Sequence, residues 1–356
     1  MRRATTCLTI CLAALLALAP LARAAYDPLG GGQARLLLDK RFARFLKADG
    51  ISLKAKRGAR HRGSAYLLPV SGGVLDPTEG KGSIETEGVL VFTGAKRDVP
   101  LRNLTLKTKH SPLIAKVGGS QLKLAHSPRL SFKRGGFDST FAAAKLKLTA
   151  KLVTRLNKKL RPKAPFKAGQ PLGTILATAA PRLTAIEAKG SATLVFNPAF
   201  VAKLDQRFVS LNPIFPAEHQ GATFTFPIQA GGSLSPEGSE GELRTEGAVE
   251  LLQLGAGQVF WKELWLDFGS RADTAEADVE PAPAFPGKLG RIGVMDLGAA
   301  TVTQDPASRT ISVSGAPLTL SASSADTFDE AFDQGEGPSF EAGEAAATLS
   351  FVAQGQ

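Results

Sequence analysis

Side chains able to carry acid-base, nucleophilic or metal chemistry are few and scattered along this chain of 356 residues. The four histidines, His61, His110, His126 and His219, show no ligand spacing, and both cysteines, Cys7 and Cys11, lie in the leading segment. Zinc sites draw on Cys and His in close pairs, and no such spacing occurs past Cys11. Gly-x-Ser-x-Gly, the turn that exposes a nucleophilic serine, is absent. Gly80-Lys81-Gly82 resembles part of a phosphate loop, but it precedes an alternating stretch rather than a helix, which predicts a hairpin turn. Glu85 and Glu87 stand two apart, with Glu242 and Glu246 as rough counterparts. Residues two apart share one strand face, and a solvated face accounts for them. The sequence gives catalysis no positive support.

The start carries Arg2-Arg3, an apolar run from Leu8 to Leu18, and Ala22-Arg23-Ala24. That order is the pattern of a secretory signal with a small-residue cleavage site. It predicts a signal peptide over residues 1–24, export, and a mature chain from Ala25 without cysteine. Ile10 precedes Cys11 where a lipoprotein would need a small residue, so secretion rather than lipidation is expected. No later apolar stretch reaches the length of a spanning helix. The expected location is extracellular or cell-wall associated.

The elements that would position any site are duplicated. Residues 63–107 (GSAYLLPVSGGVLDPTEGKGSIETEGVLVFTGAKRDVPLRNLTLK) run parallel to residues 221–267 (GATFTFPIQAGGSLSPEGSEGELRTEGAVELLQLGAGQVFWKELWLD). Pro69 falls on Pro227, Gly88 on Gly247, and Leu104 and Leu106 on Leu264 and Leu266. Upstream, LDKRF at 38–42 matches LDQRF at 204–208, each within a helical pattern. Leu38, Phe42 and Phe45 share one face, as do Val201, Leu204, Phe208 and Leu211. Asn197-Pro198 makes a good helix start. Downstream, FKAG at 166–169 matches FEAG at 340–343, and ATLVF at 192–196 matches ATLSF at 347–351. These matches place the boundary near Phe196, with residues 174–189 as an insertion in the first copy.

Leu104/Leu106, Leu122/Leu124, Leu130/Phe132 and Leu146/Leu148 alternate with polar residues, and Gly and Pro together supply 59 of the 356 residues as punctuation. Half-buried antiparallel strands joined by tight turns follow. The predicted fold is mainly β: two tandem antiparallel β-sandwich-like domains, residues 25–196 and 197–356, each with short helices near its ends.

The copies carry opposite charge. Residues 25–196 hold 32 Lys and Arg against 10 Asp and Glu, a net of +22, whereas residues 197–356 hold 8 against 22, a net of −14. Lys145/Lys147 and Lys107/Lys109 alternate, so each pair shares a face. Two readings follow. The basic copy offers a surface to an anionic cell-envelope polymer, or the acidic copy docks against it. Export, and the lack of aromatic residues interleaved with the basic ones, argue against nucleic acid.

The block LPVSGGVLDPTEGKGSIETEGVLVFTG, repeated more weakly as FPIQAGGSLSPEGSEGELRTEG, resembles the HtaA domain, a secreted actinobacterial module of haem uptake. With the flanking helices the resemblance spans nearly all of both copies. It implies an antiparallel β-sandwich-like domain that holds haem near its first helix. The family's ligating tyrosine ends a Ser-Phe-x-x-Tyr run, and Arg41-Phe42-Ala43-Arg44-Phe45 occupies that run here, which puts Phe45 at the ligand position. In the second copy the position falls on Leu211, and Ala95-Lys96 stands where the family's supporting histidine would be. A phenolate oxygen bonds ferric iron, and neither Phe nor Leu has an atom to do so. Haem therefore enters by resemblance alone, with Phe42, Phe45, Tyr66 and His61 as pocket candidates. The sequence favours a noncatalytic binding or structural protein without the family's haem ligands. The alternative is haem binding through an apolar pocket or a substitute ligand such as Tyr66 or His61.

Overall fold

Period-two hydrophobicity becomes strand almost throughout the computed structural model, which describes residues 26–356 except 78, 96, 109–111, 256, 270–273, 283–289 and 333–338. The signal segment and Lys96, Lys109 and His110 thus lie outside the described residues. In the first domain β1 (Asp27–Leu38) leads into helix α1 (Lys40–Ala48), then β2 (Ser52–Lys56) and the short edge strand β3 (Arg60–Arg62). Strands β4 (Ala65–Leu75), β5 (Gly82–Thr86), β6 (Val89–Thr93) and β7 (Asp98–Lys107) follow. Next come β8 (Pro112–Val117), β9 (Ser120–His126), β10 (Arg129–Gly135), β11 (Asp138–Leu148), helix α2 (Ala150–Leu160) and β12 (Pro171–Pro181).

The second domain repeats this order. It opens with β13 (Thr184–Phe196), helix α3 (Pro198–Gln206), β14 (Val209–Ile214), β15 (Glu218–Gln220) and β16 (Thr223–Leu234). Strands β17 (Gly241–Thr245), β18 (Ala248–Gln253), β19 (Gly257–Phe268), β20 (Thr274–Ala282) and β21 (Gly290–Leu297) continue it. It ends with β22 (Thr301–Asp305), β23 (Thr310–Leu320), helix α4 (Ala322–Phe332) and β24 (Ala345–Gly355).

The domains are mainly β, antiparallel and arranged in tandem, with two short helices each. The two expected layers are parts of one continuous sheet. In the first domain the strand order β2-β6-β7-β5-β4-β1-β12-β11-β9-β8 returns from β8 to β7, so the sheet closes on itself. The second domain has the same order from β14 to β20 and closes from β20 to β19. Closure removes most of the exposed edge and leaves one inward side to fill. Leu36, Leu68, Ile84, Leu106, Phe141 and Ile175 point inward and are buried. Helix α1 adds Phe42 and Leu46, and α2 adds Leu152 and Leu156. Each such side chain contributes about 1.5–3 kcal/mol by leaving water. The space left between Leu36, Leu53, Phe92 and Leu172 is about 10 Å³, no more than one water needs.

Equivalent contacts bear out the duplication. Glu87 N donates to Pro69 O, and Glu246 N to Pro227 O, each at 2.9 Å. Thr86 Oγ1 donates to Leu104 O at 3.1 Å, and Thr245 Oγ1 to Leu264 O at 3.2 Å. Asn103 and Glu263 share a left-handed backbone, with φ of 49° and 52°, where one stretch of β7 or β19 changes pairing partners.

Three matches drawn from the sequence shift in the structure. Asp39 caps α1, accepting from Arg41 N at 2.7 Å, and Asn197 caps α3, accepting from Ala199 N at 2.9 Å. Counting from the caps, Phe42 corresponds to Phe200, and both are buried. The nearly identical pentapeptides LDKRF and LDQRF are therefore out of register, and Phe208 lies beyond its helix, 84% exposed with φ 56°. By the same count the counterpart of Phe45 is Lys203, and Leu211 sits on β14 instead. The matched ATLVF and ATLSF segments lie on β13 and β24, which pair with each other inside the second domain. Residues 174–189 hold most of β12 and the start of β13, so they are no insertion. Since β13 pairs with β16 and β24, the chain passes between sheets at Arg182–Leu183 rather than at Phe196.

Strand ends and turns build the joint between domains. Asp27, 4% exposed, accepts from Ala185 N at 3.2 Å and from Thr184 Oγ1 at 3.3 Å. Arg309 donates to Thr184 Oγ1 at 3.1 Å and to Gly355 O at 3.0 Å. Phe137, from the turn between β10 and β11, packs into the second domain's core with the Arg309 guanidinium 5.5 Å from its ring centre. Arg134 donates to Gln356 O, and Arg182 pairs with Glu240 across the joint.

Candidate functional site

Helix α1 brings Phe42 and Phe45 onto one side, three residues apart, as its periodicity requires. Phe45 is half-buried, its ring 5.1 Å from Phe166 and 6.3 Å from Phe42. Phe42 also lies 6.2 Å from Phe166 and 6.5 Å from Phe92. This is a hydrocarbon cluster, offering no lone pair to a metal. In the second domain Phe340 takes the place of Phe166, 6.0 Å from Phe200. Lys203 then replaces Phe45, its Nζ 5.3 Å from the Phe340 ring centre and 2.6 Å from Glu344 Oε2. Its Nζ is turned to a carboxylate and a ring face, and an ammonium donates without accepting. Neither equivalent position provides an iron ligand.

Tyr66 stands on β4 beside the edge strand β3. Its phenol turns inward and donates to Leu53 O at 2.9 Å, and burial pushes its pKa above the ordinary value of 10.0. Forming a phenolate there would break that bond in a desolvated place. His61 pairs with Tyr66 across the strands, and the rings stack at 4.5 Å and 24°. The imidazole edge remains exposed. Beside it a groove of about 660 Å³ opens on the outside of the sheet, lined by Gln33, Arg60, His61, Arg62, Leu67 and Pro69. Thus the structure stacks His61 on Tyr66 and groups Phe42 and Phe45 with Phe92 and Phe166 elsewhere in the same core.

The second domain repeats the stack. His219 pairs with Phe224 at 5.4 Å and 22°. The sequence carried a signal for this, because His61-Arg62-Gly63 and His219-Gln220-Gly221 stand at the same distance ahead of Pro69 and Pro227. A second groove, about 410 Å³, opens between Arg57, Glu85, Glu87, Arg102 and Asn103. At the matching place in the second domain Trp265 fills the surface, between the guanidinium groups of Arg244 at 3.9 Å and Arg291 at 3.6 Å. Among the described residues no cluster of His, Cys, Asp and Glu could hold a metal ion, and no helix is long and apolar enough to cross a membrane.

A tandem pair of closed antiparallel β domains, each with a capped helix after its first strand, is the class that fold and site define. No protein-family model matches the sequence, and no curated protein is similar to it. Among solved structures the chain is similar to the C-terminal domain of HtaA from Corynebacterium glutamicum, at 18% identity and a TM-score of 0.35, over 48% of this chain and 98% of that one. It is also similar to the N-terminal domain of the same protein, at 17% identity and a TM-score of 0.37, over 48% of this chain and 99% of that one. Each match spans about one domain of the present chain and concerns fold.

Proposed function

We propose that this chain is a secreted, noncatalytic protein of the bacterial cell surface, a two-domain HtaA-like binding or structural module that does not ligate haem through a tyrosine. The observation that carries this reading is the pair of equivalent helix positions: Phe45 packed on Phe166, and Lys203 held by Glu344. Their chemistry does not fit haem iron, Tyr66 is turned inward by its bond to Leu53 O, and the space between Leu36, Leu53, Phe92 and Leu172 is only about 10 Å³. This reading assigns function to the outside of the sheets, where the groove beside His61 opens.

Hemin titration of the mature protein, followed by difference absorption, tests this. The expected result is weak binding without the charge-transfer band of a tyrosinate complex, and Phe45→Tyr is the control that restores a phenol at that place. Tight binding by the unaltered protein that vanishes on His61→Ala would favour the alternative, haem held through His61 as a substitute ligand, and would overturn the proposal.

A further inference from the structure

The groove beside His61 has a composition that its counterpart in the second domain lacks. Register gives the correspondence directly. Arg60 and Arg35 both stand opposite Leu67, and Arg62 stands opposite Ala65. Directly opposed residues share a face, so Arg60, Leu67 and Arg35 form one row on the outside of the sheet, with Arg62 in the next. In the second domain Glu218 and Thr193 stand opposite Thr225, and Gln220 stands opposite Thr223. The inward and stacking residues keep their type between copies, His61 and His219, Tyr66 and Phe224, and so does Pro69 with Pro227 on the outer face. The outward residues around Leu67 do not. Arg35, Arg60, Arg62 and Leu67 become Thr193, Glu218, Gln220 and Thr225.

The three arginines are exposed and take part in no ion pair among the described residues. No residue lining the groove is acidic. Three like charges within two strands repel one another, and nothing in the fold needs them, since the second domain builds the same hairpin without them. Strand geometry sets Arg60 and Arg62 about 6.6 Å apart along the chain and Arg60 and Arg35 about 9.6 Å apart across two strand spacings. Each guanidinium offers a fork of donors suited to a carboxylate. Between them Leu67 and Pro69 make a half-buried apolar floor, and Gln33 adds an exposed amide.

We infer that this groove binds an anionic glycan, a polymer of sugar rings bearing carboxylates. The guanidinium groups take the carboxylates, the floor takes the C–H face of a ring, and the Gln33 amide takes a hydroxyl. An apolar floor and a neutral amide favour this ligand over a bare chain of phosphates, which presents no face to them. The inference rests on reading the protein as a surface-binding module, and its test involves no haem.

The test measures polygalacturonate binding to the whole mature protein by calorimetry at low and at physiological salt, beside long-chain polyphosphate and a neutral glucan. One variant carries the second domain's own residues: Arg35→Thr, Arg60→Glu and Arg62→Gln. A control variant changes Lys151, Lys158, Lys159 and Lys163, all exposed, to Gln, which alters net charge by the same amount. Polygalacturonate affinity is expected to fall about tenfold or more in the groove variant and by less than about threefold in the control, since scattered exposed charges act weakly and are screened. Equal losses in both variants, or none in either, would overturn the groove as the site. Tighter binding of polyphosphate, lost in the groove variant, would overturn the glycan as the ligand. Circular dichroism of both variants checks that folding is retained.

Discussion

Asp27 is the sharpest lever on the joint between the domains. Burial is the main cause that pushes its carboxyl from 3.8 to about 6, against the hydrogen bonds from Ala185 N and Thr184 Oγ1 and the attraction of Arg134, with Asp76 adding to the rise. Burial in turn holds the Arg134 guanidinium below its ordinary value, while Asp27, Asp76 and Glu187 oppose this. The folded protein thus holds the Asp27 proton more tightly than the unfolded chain does. The stability this gives is complete below about pH 3.8, declines as pH rises through about 6, and is gone above that. At about 1.36 kcal/mol per pH unit, the interval is worth up to about 3 kcal/mol. Asp27→Asn keeps one acceptor oxygen, for Ala185 N, turns an amide donor toward Thr184 Oγ1 in place of the second oxygen, and removes the buried charge. Urea denaturation of wild type and variant between about pH 4 and pH 8 isolates this group by difference. The variant is expected to be more stable by up to about 3 kcal/mol near pH 8, the gap closing toward pH 4. A variant less stable than wild type at the alkaline end, or a gap that does not depend on pH, would refute the reasoning.

Two further substitutions test the correspondence between domains. Phe208 occupies, at φ 56°, the place that Gly50 takes at φ 66°, and Phe208→Gly should stabilise the second domain by about 1 kcal/mol, because a side chain in left-handed backbone is strained. Fluorescence-monitored denaturation reports it, since both tryptophans, Trp261 and Trp265, lie in that domain. A Cβ at Gly247 would stand 2.5 Å from Ala217 N, and one at Gly88 would stand 2.6 Å from Ala59 N, both on positive-φ backbone. Gly247→Ala and Gly88→Ala should therefore each cost about 2 kcal/mol or more, the first read by fluorescence and the second by circular dichroism. Similar losses at both sites support their equivalence, and a neutral outcome at either contradicts it.

Much of the architecture was legible because duplication displays itself twice. Pro69 with Pro227 and Gly88 with Gly247 marked the same strands and the same close approaches of backbone. Alternation correctly assigned Leu104, Leu106, Leu146 and Leu148 to strands, where all four are buried. Helix register is set by the caps Asp39 and Asn197, and five nearly identical residues that lie out of step with those caps obscure it in the sequence. The division at Phe196 followed from matching ATLVF with ATLSF, two strands that resemble each other because they lie side by side. Alternation tells which face a residue takes and not which strand it pairs with, so closure from β8 to β7 could not be read. The joint was hidden for a related reason. Asp27 meets Thr184, and Phe137 meets Arg309, across sequence distances that no local pattern spans.

The charge split has a different standing once the joint is known. Moving the division from Phe196 to Leu183 carries Lys189 and Glu187 across together, so the two domains keep their nets of +22 and −14. The joint itself engages Asp27, Arg134, Phe137, Arg182, Glu240 and Arg309, which is a meeting of strand ends and not of charged faces. Lys145 and Lys147 on β11, and Lys151, Lys158 and Lys159 on α2, remain exposed. Among the described residues none of these lysines forms an ion pair with the acidic domain. Burial constrains the inward residues of both copies alike, which is why Phe42 and Phe200, or Leu106 and Leu266, agree. The outward residues carry no such constraint, and they are the ones that part company, most sharply in the arginine row around Leu67. One scaffold thus presents two opposite fields, and the basic field has a groove in it while the matching place in the acidic domain has Glu218 and threonines. That difference supports the proposed partner outside the chain.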